Sequence, residues 1–299
     1  MGSGHSTSSS SSNVSPPTNI SDSINETPYT INSTSYNKKA LLIGINYTGT
    51  SNRLHGCIND SQNMKTLLEN WGFTTTIMND TSSGGLYPTK TNILTQMQNL
   101  ITSLSSNDIG VIYYSGHGTR VMDTNGDEIS NLDSVIVPIN LNFIIDDEIR
   151  NILTQAVSNS KVFCVFDSCN SGSVCDLRYN VFDTSYKENP GDKSSSLIYR
   201  NKVIENTNYP NTNAQIISLS GSKDDQLSFE VYVNGVATGA LTYCLIKTLK
   251  ESTPNITLQT FINSVRGYLS DFRFLQNPSL MCGRDPKIEN MYLNSYLNI

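Results

Sequence analysis

From residue 38 onward, apolar runs short enough to be strands alternate with segments whose apolar residues recur at helical spacing. This alternation restricts the chain to an α/β architecture. "KKALLIGINY" (38–47) reads as a buried strand, and "NDSQNMKTLLENWG" (59–72) sets Met64, Leu67, Leu68 and Trp71 on one helical face and stops at Gly72. "FTTTIM" (73–78) is a second strand, and "TKTNILTQMQNLITSL" (89–104) repeats an apolar stripe through Ile93, Met97, Leu100, Ile101 and Leu104. "DIGVIYYSG" (108–116), "SVIVPI" (134–139), a helix over 146–158, "KVFCVFD" (161–167) and "AQIISLSG" (214–221) continue the series. Two amphipathic helices, "GALTYCLIKTLKES" and "TLQTFINSVRGYLSDF", close it. Uninterrupted apolar strands need cover on both faces, so the pattern predicts a mostly parallel central sheet between two helical layers.

The first 37 residues break the pattern. They form a Ser/Thr/Asn/Pro tract with scattered single aliphatics, too few to offset the entropy of ordering the segment, and are expected to be a disordered arm. The remaining chain, 38–299, reads as one domain, because 37% hydrophobic residues in 299 suffice for a sizeable core. A polar stretch at 179–212 is expected to be a long surface loop dividing this domain into a larger part, 38–178, and a smaller one, 213–299.

Charge and composition exclude several classes of function. The net charge is −6 and the Lys and Arg residues are dispersed, which disfavours nucleic acid as a partner. No stretch approaches the ~18 consecutive apolar residues of a membrane span, and no signal-peptide core is seen, so a cytoplasmic protein without stable membrane insertion is expected. "MGSGHS" fits the N-myristoylation pattern at Gly2, which would give a weak tether only. Six cysteines, at 57, 164, 169, 175, 244 and 282, lack paired metal-ligand spacing and are expected to be thiols.

Ligands of parallel α/β sheets bind beyond the carboxyl ends of the strands. Two strands here end in reactive residues: "YYSGHGT" presents His117 between glycines, and "FDSCNSG" presents Cys169 among small polar residues. Cys164, inside "VFCVF", and Cys244, in an apolar helix, read as core. A histidine beside a cysteine can take the thiol proton and return it to a leaving amine. Two acids, Asp60 in "GCINDSQNM" and Asp167 two residues before Cys169, favour a cationic side chain beside the scissile bond. On its own Asp60 reads equally as a helix N-cap.

The segments "GCINDSQNM", "YYSGHGT", "NGDEISNLDSVIVPIN", "IIDDEI", "FDSCNSGS", "SGSKDDQLSFE" and "GALTYCLIKTL" follow one another as they do in the metacaspases, caspase-like cysteine peptidases. The chain resembles that family from about Lys38 to its C-terminus, and the 52 residues from His117 to Cys169 match caspase spacing. The resemblance implies a caspase-type three-layer αβα sandwich, with Cys169 as nucleophile, His117 as general base and then acid, and the N–H groups of Gly118 and Cys169 as oxyanion hole. It implies cleavage after Arg or Lys, in a pocket of Cys57, Asp60, Ser115 and Asp167, and the short arm and modest loop favour the type I arrangement, or a compact viral or microbial relative. Lys187, Lys193, Arg200 and Lys202 in the polar 179–212 stretch, with Arg178, Lys38 and Lys39 beside the domain's other boundaries, are expected sites of self-cleavage, and a monomer is expected.

The acids Asp123, Asp127, Glu128, Asp133, Asp146, Asp147 and Asp176 read by composition as solvated loop residues, and "DTNGDEISNLDS" lacks the Gly and terminal Glu of an EF-hand. The resemblance implies instead that Asp133, Asp146, Asp147 and Asp176 bind an activating Ca2+. Asn140 and Asn170 depart from the residues frequent in the family. Two other readings stand beside the peptidase: a caspase-fold binding or proteostasis protein whose peptidase activity is weak or dispensable, and an Asn- or Asp-specific peptidase of the same clan, which the acidic pocket opposes.

Overall fold

Each buried strand sends alternate side chains to opposite faces, and this divides the core in two. In β1 (Lys38–Gly44), Ala40 and Leu42 join one cluster while Leu41 and Ile43 join the other. The helix α1 (Cys57–Asn70) and strand β2 (Thr74–Asn79) follow, then α2 (Lys90–Thr102) and β3 (Ile109–Ser115). The computed structural model describes residues 36–126, 131–169, 171–187, 197–198, 200–221, 230–233, 235–251, 255–274 and 276–299. The arm expected over 1–37 falls outside them except for its last two residues.

After β3 the chain forms β4 (Gly118–Met122), β5 (Leu132–Ile136), β6 (Ile144–Ile145), α3 (Asp146–Leu153) and β7 (Lys161–Asp167). Strands β8 (Tyr179–Asp183), β9 (Tyr186–Lys187), β10 (Leu197–Ile198), β11 (Asn201–Glu205) and β12 (Gln215–Ser220) come next. The chain ends with β13 (Glu230–Val233), β14 (Val236–Gly239), α4 (Ala240–Glu251), α5 (Leu258–Asp271), β15 (Ser279–Cys282) and α6 (Leu293–Leu297).

The main sheet has eight strands in the order β11-β8-β15-β12-β7-β3-β1-β2. The block from β12 to β2 is parallel throughout, and β15, β8 and β11 extend it antiparallel. One face buries Met64 and Leu68 of α1 with Leu241, Leu245, Phe261 and Val265 of α4 and α5. The other buries Ile93, Met97 and Ile101 of α2 with Ile149 and Leu153 of α3. The result is the three-layer αβα sandwich expected from the sequence. Each large aliphatic so buried contributes roughly 1.5–3 kcal/mol.

Two expectations are corrected. "SVIVPI" does not continue the main sheet: its strand, β5, belongs to a separate antiparallel sheet of order β4-β5-β6 and stops before Pro138, which has no N–H for a ladder. The segment 179–212 is not a loop throughout, since β8 and β11 pair with each other and form one edge of the main sheet. These strands read as polar because burial fades toward the sheet edge: Val181 of β8 is fully buried, whereas its partner Val203 on the edge strand β11 is exposed, as are Phe182 and Ile204. Within that stretch Lys193 lies outside the described residues.

Candidate active site

The two reactive loops are brought level by strand register. β3 and β7 are parallel neighbours in which Ser115 stands opposite Asp167, and His117 and Cys169 each follow two residues later. Both therefore leave the same edge of the sheet. Gly118 completes the approach, because a Cβ there would overlap the carbonyl oxygen of Cys169 and crowd Ser168. Only glycine lets the two loops meet so closely.

His117 is fixed by both of its neighbouring segments. Its backbone N–H donates to the Tyr47 hydroxyl at 2.9 Å, and its carbonyl accepts from the Tyr114 hydroxyl at 2.8 Å and from Val137 N–H at 3.0 Å. The Tyr47 hydroxyl in turn donates to the Val137 carbonyl at 2.5 Å, and burial pushes its phenol far above the usual range, so it stays a donor. The Tyr47 ring lies 4.6 Å from the imidazole, centroid to centroid, and Tyr47 adopts φ +51° to reach it. The imidazole Nε2 contacts the Asn52 carbonyl at 2.6 Å. A carbonyl can only accept, so Nε2 carries the hydrogen and Nδ1 is left as the basic nitrogen.

None of the six cysteines is in a disulfide, and Cys169 is the one that is not buried. Burial pushes the thiols of Cys57 and Cys282 well up, and that of Cys244 up to about 12; contact with Cys175, then burial, raises Cys164. These four stay protonated and unreactive near neutral pH.

A cavity of about 120 Å³ is lined by Cys57, Asp60, Ser115 and Asp167 together with His117 and Cys169. Every residue expected in the substrate pocket thus shares one cavity with the expected dyad. Leu54, Gly116, Glu230 and Gly239 complete the lining. Gly239 leaves the space between the two acids open, since a Cβ there would run into the Asp167 carboxylate and come 3.1 Å from Asp60 Oδ2. The two carboxylates therefore face one point.

Asp60 is buried and its described donors are all neutral: Gly239 N–H at 2.9 Å, Ser115 Oγ at 3.2 Å and Thr238 Oγ1. Asp167 accepts from Thr242 N–H at 3.0 Å and from its hydroxyl at 2.6 Å. Desolvation, and then the charge of Asp167, raise Asp60 to about 7, against the pull of its hydrogen bonds. The pocket is thus an acidic concavity that gains by taking in a cation.

Asp133, Asp146 and Asp176 are buried, on β5, at the start of α3 and in the turn after Cys169. The Asp146 carboxylate accepts from Ser134 N–H at 2.6 Å and Asp147 N–H at 3.1 Å, while Asp147 accepts from Asn125 at 2.6 Å. Ser134 and Ser173 hydroxyls, 2.8 Å apart, link β5 to the Asp176 turn, and the Arg150 guanidinium donates to the Asp176 carbonyl while stacking on Tyr209. Oxygen donors of this kind suit a hard cation, yet among the described residues no three acidic, histidine or cysteine side chains converge to hold one. Asp127 and Glu128 lie outside the described residues. No helix among those described is long and apolar enough to cross a membrane.

Glu230 and Gly239 had no role assigned from sequence, although both lie in segments that carry the family resemblance. Asn52 acts through its backbone carbonyl, which leaves no trace in residue type.

The model of the metacaspase, peptidase C14 domain matches residues 38–178. Metacaspase-1 of Scheffersomyces stipitis is 34% identical in an alignment that covers 82% of this chain and 70% of that protein. Metacaspase-1B of Aspergillus fumigatus is 33% identical in an alignment that covers 86% of this chain and 72% of its own. A crystal structure of a Geobacter sulfurreducens protein superposes with a TM-score of 0.58 over 84% of this chain and 96% of that one, at 23% identity, and so supports the fold alone. A cysteine and a histidine at one sheet edge, in a chain a third identical to these relatives over most of its length, place it in a known group: the chain belongs to the metacaspase family of cysteine peptidases.

Proposed function

We propose that the chain is an endopeptidase that cuts after arginine or lysine, with Cys169 as nucleophile and His117 as proton carrier, acting as a monomer. The observation that carries the specificity is the pair of buried carboxylates, Asp60 and Asp167, facing one point beside Gly239 in the cavity that reaches Cys169 and His117. A cationic side chain entering there relieves the repulsion between them, whereas an acidic one adds to it.

In the first step the Cys169 thiol gives its proton to His117 Nδ1 while Sγ bonds to the scissile carbonyl carbon. The developing oxyanion is met by the N–H groups of Gly118 and Cys169, each worth about 3 kcal/mol to the transition state. Collapse breaks the C–N bond, the imidazolium returns its proton to the leaving amine, and water then hydrolyses the thioester with His117 again as base. The Asn52 carbonyl and the Tyr47 ring keep the imidazole oriented throughout.

Self-processing in the 179–212 segment and activation by Ca2+ through Asp133, Asp146, Asp147 and Asp176 belong to the same reading. Their carboxylates are the right donors, and the ion would need at least three of them gathered at one point. A positional-scanning peptide library, read with and without calcium, tests the whole assignment. Cleavage concentrated after Arg and Lys supports it, and cleavage concentrated after Asp or Asn overturns it.

A further inference from the structure

We propose that Glu230 is a positioning residue: it fastens the segment 52–56, whose Asn52 carbonyl holds the imidazole of His117. The proposal rests on the role given to His117 above.

Helix α1 is capped by Gly56, which has no side chain to accept from the first amides, and no local side-chain cap is formed. The N–H groups of His55 and Gly56 instead donate to Glu230 Oε1, at 2.7 and 2.6 Å, across 174 or more residues of sequence. The carboxylate thus takes the two amides just before the first turn, while the N2 amide of Ile58 donates to Asn46 Oδ1 at 3.2 Å, and the charge of Glu230 sits at the positive end of the helix. The rest of the β13–β14 hairpin is stitched to the same turn: Asn59 Nδ2 donates to the Ala237 carbonyl at 3.2 Å, and Thr238 and Gly239 donate to Asp60. Gly56 packs directly on Thr238, where a Cβ would lie 3.0 Å from its Cα.

The same stretch is also tied to Asn46, which follows β1 and closes the loop that carries Asn52. Leu54 N–H donates to the Asn46 carbonyl at 2.8 Å, Asn46 Nδ2 reaches the His55 carbonyl at 3.4 Å, and Asn46 N–H is held by Asp80 at 2.8 Å. Residues 48–53, including Asn52, are exposed between these anchors. Asn52 N–H donates to Thr50 Oγ1 at 3.2 Å, and the Thr50 hydroxyl to the Tyr47 carbonyl at 2.8 Å, so the Asn52 carbonyl, 2.6 Å from His117 Nε2, is placed from the β1 side by this turn and from the α1 side by Asn46 and Glu230 together. The imidazole is thus oriented in part by a side chain from the C-terminal part of the chain.

Glu230 also lines the cavity, so the rival role is a third negative charge for a cationic substrate. Glu230→Gln separates the two, because it keeps the accepting oxygen and loses the charge. The full chain, wild type, E230Q and E230A, is assayed on Arg and Lys reporter peptides, with the pH profile of Cys169 alkylation by iodoacetamide measured in parallel. E230A is expected to lower kcat by about 10- to 100-fold with KM changed less than about threefold, and to shift the alkylation profile. E230Q is expected to restore kcat to within about threefold and to restore the profile. Should E230A fail to melt cooperatively, E230M, of similar length but without an oxygen acceptor, carries the same expectation. Equal losses in E230Q and E230A through KM, or a truncation that leaves both kcat and the profile as in wild type, would overturn the proposal. H117A is the control: full turnover there would fault the role of His117, not the link from Glu230 to Asn52.

Discussion

Gly118 packs against the carbonyl oxygen of Cys169 so closely that no larger residue fits between them. In the β4–β5 ladder Val137 N–H bonds to the His117 carbonyl and Gly118 stands opposite Ile136. Antiparallel pairs alternate between bonded and non-bonded, so the Gly118 N–H turns away from β5. Gly118→Ala should lower kcat by about 100-fold or more, by separating the loops that carry the dyad and the oxyanion donors. Gly85→Ala, where only Gln96 comes within 4 Å of the new Cβ, should leave kcat unchanged. Steady-state kinetics on the two variants decides the point.

Asp60, raised to about 7, gives the pocket a pH signature. As pH rises through about 7 the pair with Asp167 loses its last proton, so kcat/KM for Arg and Lys reporters should climb across this range. Asp60→Asn should remove that limb and cost about 2–4 kcal/mol in kcat/KM. Stability should move the other way. A carboxyl whose folded value is raised contributes stability below its ordinary value near 4, and this is lost as pH rises through about 7. The melting temperature of wild type should therefore fall relative to that of D60N between pH 5 and pH 8.

Self-processing should be confined by the sheet. Lys38 and Lys39 lie in β1, with β3 paired along one side and β2 reaching Lys39 along the other, and their peptide bonds cannot enter a cleft while the domain is folded. Lys187, Lys193 and Arg200 belong to the segment between β8 and β11, and cuts are expected there, whereas Lys202, paired with Phe182 in the main sheet, should be spared as Lys38 and Lys39 are. Intact-mass spectrometry of wild type beside Cys169→Ala should show new termini in this segment only. Cleavage after Lys38 in the folded protein would contradict the assignment.

Calcium should act at millimolar concentration, because acids from separate elements must be gathered at a cost, which sets the affinity on the order of 10⁻⁴–10⁻³ M. Asp176→Ala should abolish the calcium-dependent rise in melting temperature as well as the activation, while Cys169 still reacts with iodoacetamide. Magnesium, which keeps its waters and a tighter octahedron, should not substitute. Full activity in excess chelator would mean that these acids serve the fold alone.

The parts of this site that could be read from sequence are those written as side chains at strand ends. Buried parallel strands appear as uninterrupted apolar runs, so the ends of β3 and β7 at Ser115 and Asp167 were visible, and with them His117 and Cys169 two residues on. Asp60 and Asp167 were legible as acids, but their meeting depends on Gly239, from a strand about 70 residues beyond Asp167. Glu230 and the Asn52 carbonyl were not legible, since one works on backbone amides and the other is backbone. Strands β8 and β11 were hidden because burial fades toward the sheet edge, and a hairpin there carries too few apolar residues to stand out from a polar loop.

The measurement that bears most directly on the chemistry is turnover of an Arg reporter peptide by wild type, Cys169→Ala, His117→Ala and the double variant, at equal concentration and with melting curves in parallel. Each single variant should melt as wild type does and lose activity by at least about 1,000-fold, and the double variant should be no worse than the worse single, because the two side chains act as one unit. Substantial turnover by a well-folded Cys169→Ala protein would contradict the assignment of the nucleophile and, with it, the mechanism.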